Sequence, residues 1–425
     1  MISTYTYKQP FLPDSLAFEL AKESGRIYTE ALRLNKAGRD FKEINKEMEK
    51  YCKKNCKFLH SQSAQASYQS LIQGLKSYFQ AVKAFQKNPA KFSGPPKPPK
   101  RSKFMYKITF KKSAIRYRDG FLLLSVRKPY EPIRIRWATE LPIPIWAILS
   151  YSRIDGWNIN FVMDKECKVL ALDSSKAMSI DLGVKRVATT FNIVNRETKT
   201  YSGKPLMSLV RLRNMVDARI RSKKTGYKIG SRKQKKIARA GRRIVRRIKH
   251  RQNDILHKYS RAIVRDAIDH SIGKIIIGDN SSTHNKTNTG KENQKIQQNP
   301  EQKLRKYIQY KFSVYGGVTE VPTEEYTSRD CPRCNHRKTS SPKGRIWVCE
   351  SCGFVYDRDG VGSLNIMKRN VSFDHQKWLD VVGGLTPPTG IKYIPGLSLV
   401  QGNLDKMNSV KEFVEFNNTI RPLRV

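Results

Sequence analysis

The sequence has few acidic residues, few cysteines and no long apolar run, and each shortage excludes a class of protein. Its 36 Asp and Glu residues stand against 82 Lys and Arg residues, so the net charge is 82 − 36 = +46. No segment reaches the roughly 18 consecutive apolar residues of a membrane helix. The first residues lack the charged and apolar regions of a secretion signal. We therefore expect neither secretion nor a membrane partner.

The excess of positive charge is far larger than solubility requires, and it predicts a polyanionic partner. With 38% hydrophobic residues the chain can still form packed cores, and its 425 residues suggest two or three domains. Of the seven cysteines, Cys52, Cys56 and Cys167 stand at no spacing typical of disulfides. Cysteines without disulfide-like spacing fit a reducing compartment.

The other four cysteines form two Cys-x-x-Cys pairs, Cys331 with Cys334 and Cys349 with Cys352, and 14 residues separate the pairs. This spacing predicts a zinc ribbon over residues 329–354, in which four thiolates bind one Zn²⁺. Because four thiolates leave no open coordination position, we expect the zinc to be structural.

Acidic residues flank this ribbon and also end a predicted strand. Asp181 ends an apolar strand that a Gly turn joins to a second strand, Glu324 precedes the ribbon, and Asp359 follows it at the start of a small-residue helix. Hydrolysis of a phosphodiester by two Mg²⁺ ions about 4 Å apart needs several converging carboxylates. Asp181 and Asp359 fit the first-strand and final-helix positions of such acids in an RNase H-like nuclease.

Residues 204–251 hold 19 Lys or Arg and one acid, Asp217. A helical apolar stripe that includes Ile244 and Ile248 leaves the arginines on the outer face. Like charges at this density repel unless phosphates lie between them. The predicted nucleic-acid contacts are Arg242, Arg243, Arg246, Arg247 and Lys249, with Lys97, Lys100 and Arg101 from a proline-rich basic linker.

The order of elements predicts an α/β protein with an additional β-barrel. A strand at 3–8, helices to about 34 and over 60–87, and several later strands indicate a barrel with a helical insertion. The predicted domains are a β-barrel over 1–175 with its insertion at about 13–90, an RNase H-like domain over 176–328 and 355–370 around the ribbon, and a tail over 371–425. We assign no chemistry to the tail and expect much of it to be disordered.

Five short motifs together resemble the TnpB family of transposon-encoded, RNA-guided nucleases, which are regarded as ancestors of the type V CRISPR effectors. The resemblance covers roughly residues 1–395. Its motifs are Ser179-Ile-Asp181-Leu-Gly-Val, His257-Lys-Tyr-Ser260, Tyr326-Thr-Ser328, Asp357-Arg-Asp359 and Asn365-Ile366.

The resemblance implies a RuvC-like nuclease domain and a wedge-like amino-terminal barrel whose helical recognition insertion reads a short motif beside the target. It implies a guide RNA derived from the transposon end, a double-stranded DNA target read by base pairing, and cleavage with two Mg²⁺ ions. It further implies a monomer in the cytoplasm of a prokaryote, associated with the nucleoid.

The departure from the family is Gly278, where most members have Glu at the end of a strand. One branch carries a Glu two residues before the Tyr-(Thr/Ser) motif instead, which is Glu324 here. If 274–277 and 317–321 are neighbouring parallel strands, their ends lie about 5 Å apart and Glu324 can replace the missing acid. Asp279 is a poorer substitute because it points to the opposite face of the strand.

Three rival interpretations remain. The chain is a nuclease that uses another acid, a nuclease-dead RNA-guided repressor of transcription, or a general basic RNA-binding protein.

Overall fold

A boundary at residue 166 divides the chain into two units, Met1–Glu166 and Cys167–Val425. The computed structural model describes residues 2–8, 14–92, 94–100, 105–139, 141–152, 156–164, 169–279, 298–339, 344–372, 388–395 and 398–402. The sequence analysis placed this boundary at 175/176. The strand that ends at Asp181 begins at Asp173, so the second unit contains the whole of it.

Three helices occupy the predicted helical insertion of the first unit: α1 (Asp14–Lys36), α2 (Phe41–Asn55) and α3 (Ser61–Lys87). The predictions for α1 and α3 are confirmed. The sequence analysis missed α2, whose buried side chains are Ile44 and Met48. Asp40 begins α2 by accepting hydrogen bonds from the N–H groups of Lys42 and Glu43, both at 2.7 Å, and completes a capping box.

The described part of the first unit contains two antiparallel sheets. Their strands are β1 (Ile2–Lys8), β2 (Ile108–Lys111), β3 (Ile115–Arg118), β4 (Phe121–Leu124), β5 (Ile133–Arg136), β6 (Trp146–Ser152) and β7 (Gly156–Asp164). One sheet has the order β1-β7-β6-β2 and the other β3-β4-β5. Among the described strands no ladder joins these sheets, so closure into a β-barrel stays a prediction. Helices and sheets share one apolar core.

A mixed sheet of seven strands is the centre of the second unit. The elements are β8 (Asp173–Asp181), β9 (Arg186–Asn192), β10 (Thr198–Ser202), α4 (Lys204–Thr225), α5 (Arg232–Asp269), β11 (Ile272–Ile277), α6 (Glu301–Ser313), β12 (Val318–Glu320), β13 (Ile346–Val348), β14 (Val355–Asp357), α7 (Arg358–Asn370), β15 (Thr389–Ile394) and β16 (Ser398–Gly402).

The sheet has the order β12-β11-β8-β9-β10-β15-β16. Strands β8, β9 and β10 form an antiparallel meander, whereas β11 runs parallel to β8 and β12 runs parallel to β11. The carboxyl ends of β8, β11 and β12 therefore meet at one edge of the sheet. The predicted pairing of residues 274–277 with 317–321 is confirmed.

Helices α4 and α5 carry the basic run and pack against each other. A Cβ atom on Gly241 of α5 would lie 2.0 Å from the Ile220 Cδ1 atom of α4, so glycine permits this close approach. The predicted apolar stripe holds at Ile248, which is buried. It is wrong at Ile244, which is 43% exposed.

Two strands, β15 and β16, lie within the predicted tail, 371–425. Strand β15 pairs in parallel with β10, and β16 pairs with β15, so both extend the sheet. Residues 373–387 and 403–425 lie outside the described part of the chain. No described helix is both long enough and apolar enough to cross a membrane.

Candidate functional site

Asp181 and Gly278 are neighbours at the carboxyl ends of β8 and β11. Ile180 lies opposite Ile277 in the parallel register, and the Gly278 N–H donates to the Ile180 carbonyl oxygen at 3.0 Å. Position 278 is therefore adjacent to Asp181 in the sheet, although its glycine supplies no carboxylate.

The Glu324 carboxylate occupies the space that a side chain at position 278 would fill. A Cβ atom built on Gly278 would lie 2.3 Å from the Glu324 Oε2 atom and 2.8 Å from the Ile366 Cδ1 atom, closer than real Cβ contacts. Glycine at this position thus leaves room for a glutamate that arrives from a different strand.

Strand β12 carries Glu324 to this edge of the sheet. The parallel pairing of β11 with β12 continues beyond both strands through a bridge between Asp279 and Thr323. The Glu324 carbonyl oxygen then accepts hydrogen bonds from the Thr327 N–H at 3.3 Å and the Thr327 Oγ1 at 3.0 Å, which closes a turn. Glu325 is exposed, so the two adjacent glutamates have different environments.

Asp359 comes to the same edge from the start of α7. The helix cap is Asp357, whose Oδ1 atom accepts hydrogen bonds from the N–H groups of Asp359 at 3.0 Å and Gly360 at 3.2 Å. The Asp359 Oδ2 atom lies 3.5 Å from Arg186 Nη1 and 3.2 Å from Arg345 Nη1. Asp357 therefore has a structural role here, and Asp359 keeps its carboxylate among cationic side chains.

Small residues let α7 lie close to β8. A Cβ atom on Gly362 would be 2.3 Å from the Asp181 Oδ2 atom. The Ser179 Oγ donates to the Ser363 carbonyl oxygen at 2.7 Å, which fixes the helix on the strand. The small-residue run thus brings the helix of Asp359 against the strand of Asp181.

Burial and mutual repulsion raise the pKa values of the carboxyl groups at this edge. For Asp181, burial is the largest cause of a pKa well above the ordinary value, followed by the charges of Glu324, Asp359 and Glu301. Burial, then Glu301 and Asp279, raises the pKa of Glu324 to about 8. Burial also raises the pKa of Asp359. A bound cation would relieve this repulsion as it displaces protons.

The donor atoms at this edge suit Mg²⁺. A cavity of about 470 Å³ borders Asp181 and Asp359, and its other walls include Lys185, Arg186, Arg345 and Arg358. The Glu324 Oε2 atom is buried and has no hydrogen-bond partner among the described residues. A buried carboxylate oxygen without a partner needs a cation or a donor, and carboxylate oxygens are ligands that Mg²⁺ prefers.

The four cysteines of the predicted ribbon come together. Their sulfur atoms all lie within 4.8 Å of one another, with 3.6 Å between Cys331 and Cys352 and 3.5 Å between Cys334 and Cys349. Sulfur atoms around a tetrahedral zinc with bonds of about 2.3 Å are roughly 3.8 Å apart. The cluster is therefore compatible with one Zn²⁺. Within the described ranges, the carboxylates form no group this tight.

The ribbon connects the turn of Glu324 to the helix of Asp359. Asn365 of α7 donates from Nδ2 to the carbonyl oxygens of Thr327 and Asp330, both at 2.7 Å. Thr327 closes the Glu324 turn, and Asp330 begins the ribbon. The buried Asn365 amide therefore fixes the turn of Glu324 relative to the helix that begins at Asp359.

Two further acids lie at this edge. Asp279 forms an ion pair with Arg305 at 3.0 Å, which makes it less suited to replace the missing glutamate. The sequence analysis did not single out Glu301, which is only 3% exposed and accepts a hydrogen bond from Asn299. An acid at a helix start is common, so the local sequence held no signal for its burial.

Most of the predicted nucleic-acid contacts are on the surface. Exposed residues are Arg242, Arg243, Arg247 and Lys249 on α5, with Lys97 and Lys100 on the linker. Arg246 is half-buried, and its Nε donates to His250 at 3.4 Å. Arg101 lies outside the described residues.

A second basic surface, which we call the arginine face, covers the outer side of the β3-β4-β5 sheet. The register aligns Arg116, Leu123 and Arg134 in one row, and Arg118, Phe121 and Arg136 in the next. All four arginines are exposed, and the Arg134 guanidinium lies 4.8 Å from the Phe121 ring centroid. The alternation of Ile with Arg in β5 is the sequence pattern that could have predicted this exposed basic surface.

Comparison with known proteins gives partial matches in sequence and a larger match in fold. A family model described as "Probable transposase" matches residues 162–284, and one described as "Cas12f1-like, TNB domain" matches 302–366. A "Putative RNA-guided DNA endonuclease" of Streptomyces pristinaespiralis is 26% identical over 283 residues, 65% of this chain and 66% of the relative. A TnpB-like protein of Methanocaldococcus jannaschii is 29% identical over 127 residues, 29% of this chain and 45% of the relative.

The chain thus spans about two thirds of the first relative's length and less than half of the second's. A cryo-EM structure of a Cas12f1–sgRNA–target DNA complex matches with a TM-score of 0.55 at 14% identity, over 85% of this chain and 84% of that chain. The mixed sheet and the cysteine cluster accordingly define a fold of the Cas12f and TnpB type. The family matches and the named relatives support a member of the TnpB family.

Proposed function

We propose that this chain is the RNA-guided DNA endonuclease of a transposon, which cuts double-stranded DNA next to a short target-adjacent motif. The observation that carries the proposal is the Glu324 carboxylate, seated over Gly278 beside the strand of Asp181. A chain that had merely lost its second acid would have no reason to keep a buried, unpartnered carboxylate oxygen there.

In this proposal Asp181, Glu324 and Asp359 hold two Mg²⁺ ions, which when bound lower the pKa of the attacking water and stabilise the leaving oxygen. Arg186 and Arg345 border the same cavity. Their guanidinium groups hold Asp359 in place and attract a phosphate to the cavity.

The zinc ribbon has a structural role in the same proposal. One Zn²⁺ bound by Cys331, Cys334, Cys349 and Cys352 would fold the segment between Glu324 and Asp359. The hydrogen bonds from the Asn365 amide to the Thr327 and Asp330 carbonyl oxygens would then hold Glu324 and Asp359 in fixed positions relative to each other.

A guide RNA from the transposon end would pair with the target DNA, and a single copy of the chain would hold the phosphates. Base pairing reads the sequence in such a complex, and the protein binds the backbone. The exposed arginines of α5 and the arginine face supply positive side chains for that contact. The net charge of +46 favours binding of both strands of the hybrid.

The alternative is a guided repressor that binds DNA without cutting it, because Gly278 removes an acid that most family members have. Cleavage of a guide-matched plasmid in Mg²⁺ separates the two, with DNA binding measured on the same preparations. We expect Glu324→Ala to reduce cleavage by roughly a hundredfold or more, since a metal ligand supplies several kcal/mol to such a reaction.

Glu325→Ala is the matched control, because Glu325 is adjacent in sequence and exposed. We expect this variant to cut and bind as the wild type does. Specific binding without cleavage by the wild type would establish the repressor instead. Full cleavage by Asp181→Ala would show that these carboxylates are not the catalytic ones.

A further inference from the structure

Tyr326 has a backbone conformation that its bulky side chain disfavours. Its φ angle is +62°, in the left-handed region that glycine adopts readily and aromatic residues rarely do. The Tyr326 carbonyl oxygen accepts hydrogen bonds from the Arg329 N–H at 2.9 Å and the Asp330 N–H at 3.2 Å, so the turn fixes this conformation. Backbone strain of this kind clusters at functional sites.

Packing of the ring does not explain a tyrosine at this position. The side chain is 49% exposed, and two arginines flank it. The guanidinium carbon of Arg337 lies 4.5 Å from the centroid of the Tyr326 ring, and that of Arg329 lies 6.0 Å away. A single exposed aromatic side chain is ordinary. One that is exposed, flanked by cations and held with a strained backbone calls for a ligand that uses the ring.

The first knuckle of the zinc ribbon fixes both arginines beside the ring. A backbone bridge joins Asp330 to Arg337, and the Lys338 N–H donates to the Arg329 carbonyl oxygen at 3.1 Å. The Asp330 carboxylate accepts hydrogen bonds from Arg337 Nε at 2.7 Å and Nη2 at 3.2 Å, and it also pairs with Arg369 at 2.5 Å. Because one carboxylate serves two guanidinium groups, positive charge remains beside the ring.

Tyr326 lies between a proposed metal ligand and the wall of the cavity. Glu324 is two residues before it, and Ser328, two residues after it, borders the cavity together with Asp181 and Asp359. Two residues span at most about 7 Å of extended chain. A nucleic-acid strand that places a phosphate in the cavity would therefore bring a neighbouring base close to the ring.

Aromatic rings on which bases stack, with basic side chains along the backbone, are the usual means of binding single-stranded nucleic acid. We propose that Tyr326 stacks on an unpaired base of the displaced DNA strand, and that Arg329 and Arg337 hold a phosphate beside that base. The displaced strand is the one whose bases the guide leaves unpaired. The proposal rests on the proposed function, since guided DNA must reach this edge of the sheet.

Fluorescence of 2-aminopurine tests the stack without cleavage. In a series of guide-matched duplexes, the probe replaces one base of the displaced strand at successive positions. Each duplex is bound by the full-length protein with its guide RNA, and Ca²⁺ replaces Mg²⁺ to slow cleavage. Because 2-aminopurine loses fluorescence when it stacks on a ring, we expect quenching at one or two positions in the wild type. Tyr326→Phe should keep this quenching, and Tyr326→Leu should lose it.

Cleavage in Mg²⁺ gives a second readout on the same variants. The single-turnover rate should fall by about tenfold in Tyr326→Leu, as for loss of one base stack. The affinity for the guide-matched duplex should stay within about twofold, since base pairing supplies most of the recognition. Tyr310→Leu is the matched control, because Tyr310 is 40% exposed on α6. It should change neither quantity.

Tyr326→Gly separates the ring from the backbone strain, and it also covers the case in which leucine at this φ impairs folding. It should lose the quenching and cut more slowly, yet unfold at no lower temperature than the wild type, because glycine relieves the strain. A Tyr326→Gly protein that unfolds at a lower temperature would assign the ring a packing role and overturn the proposal. Equal fluorescence in the wild type and Tyr326→Leu at every position also overturns it.

The two readouts distinguish this proposal from the proposed function. A wild type that shows Tyr326-dependent quenching but does not cut in Mg²⁺ overturns the endonuclease and supports the stack. A wild type that cuts without Tyr326-dependent quenching overturns the stack alone.

Discussion

The close approach of the Glu324 carboxylate to Gly278 leads to a testable prediction about these two residues. A methyl group at position 278 would lie within 2.3 Å of Glu324 Oε2 and 3.2 Å of Glu324 Cβ. Because the carboxylate is the flexible end of its side chain, Gly278→Ala should displace the acid rather than unfold the strand. We expect cleavage to fall by about tenfold or more, with a stability loss of about 1 to 3 kcal/mol.

The double variant Gly278→Glu with Glu324→Gly is the control, since it restores the arrangement of most family members. If both positions serve one ion, the double variant should cut better than Glu324→Gly alone. Such a gain is a non-additive coupling, expected only for residues in contact. Strictly additive losses in cleavage rate would contradict a shared site.

At the scale of elements, Lys311 joins α6 to α5, and we expect it to make the stability of the fold depend on pH. Its Nζ donates to the His257 carbonyl oxygen and the Ser260 Oγ, both at 2.6 Å. Burial, with a smaller effect of Arg261, lowers the pKa of Lys311 to about 8. Between pH 8 and the ordinary lysine value near 10.5, the unfolded chain binds more protons than the folded one. Stability contributed by this residue therefore rises with pH in that window.

Lys311→Met removes this dependence. From pH 7.5 to 10, we expect the free energy of unfolding of the wild type to gain about 1 to 2 kcal/mol relative to the variant, reduced from the full shift because solvent reaches the side chain. Urea unfolding at the two pH values measures the difference. Lys306→Met on the exposed side of α6 is the control. Equal pH dependence of both variants would show that Lys311 is not the cause.

The elements that sequence patterns predicted are those with long apolar periodicity or with fixed ligand spacing. Helices α1 and α3 have such periodicity, and the ribbon has its cysteines. Helix α2 was missed because its buried positions, Ile44 and Met48, form only one helical pair among charged residues. Strands β15 and β16 were missed because β15 is stabilised by pairing with β10, about 190 residues earlier in the chain, and β16 by pairing with β15.

The sequence pointed to three candidate acids but not to their arrangement. Asp181 and Asp359 followed from motifs, and Glu324 from the resemblance to one branch of the family, with the parallel order of two strands as physical support. The burial of Glu301 depends on Asn299 and on the packing of α6, which no local pattern encodes.

At the scale of the whole molecule, the charge of +46 should appear as a steep salt dependence of guide RNA binding. Each phosphate contact with single-stranded nucleic acid contributes about 0.7 to the slope of log affinity against log salt. Three exposed arginines of α5, Arg242, Arg243 and Arg247, form a compact group for such contacts. Replacing all three by Gln should therefore reduce the magnitude of the slope by about 2.

The matched control replaces three cations of α1 and α2 and their connection, Arg33, Arg39 and Lys53, which pair with glutamates within that helical pair. Their charges are already balanced locally, so the same loss of three charges should change the slope by less than about 1. Equal changes in the two variants would mean that net charge alone, and not a phosphate-binding face on α5, determines the affinity. A change confined to the α5 variant would locate part of the guide on that helix, since long-range charge is the same in both.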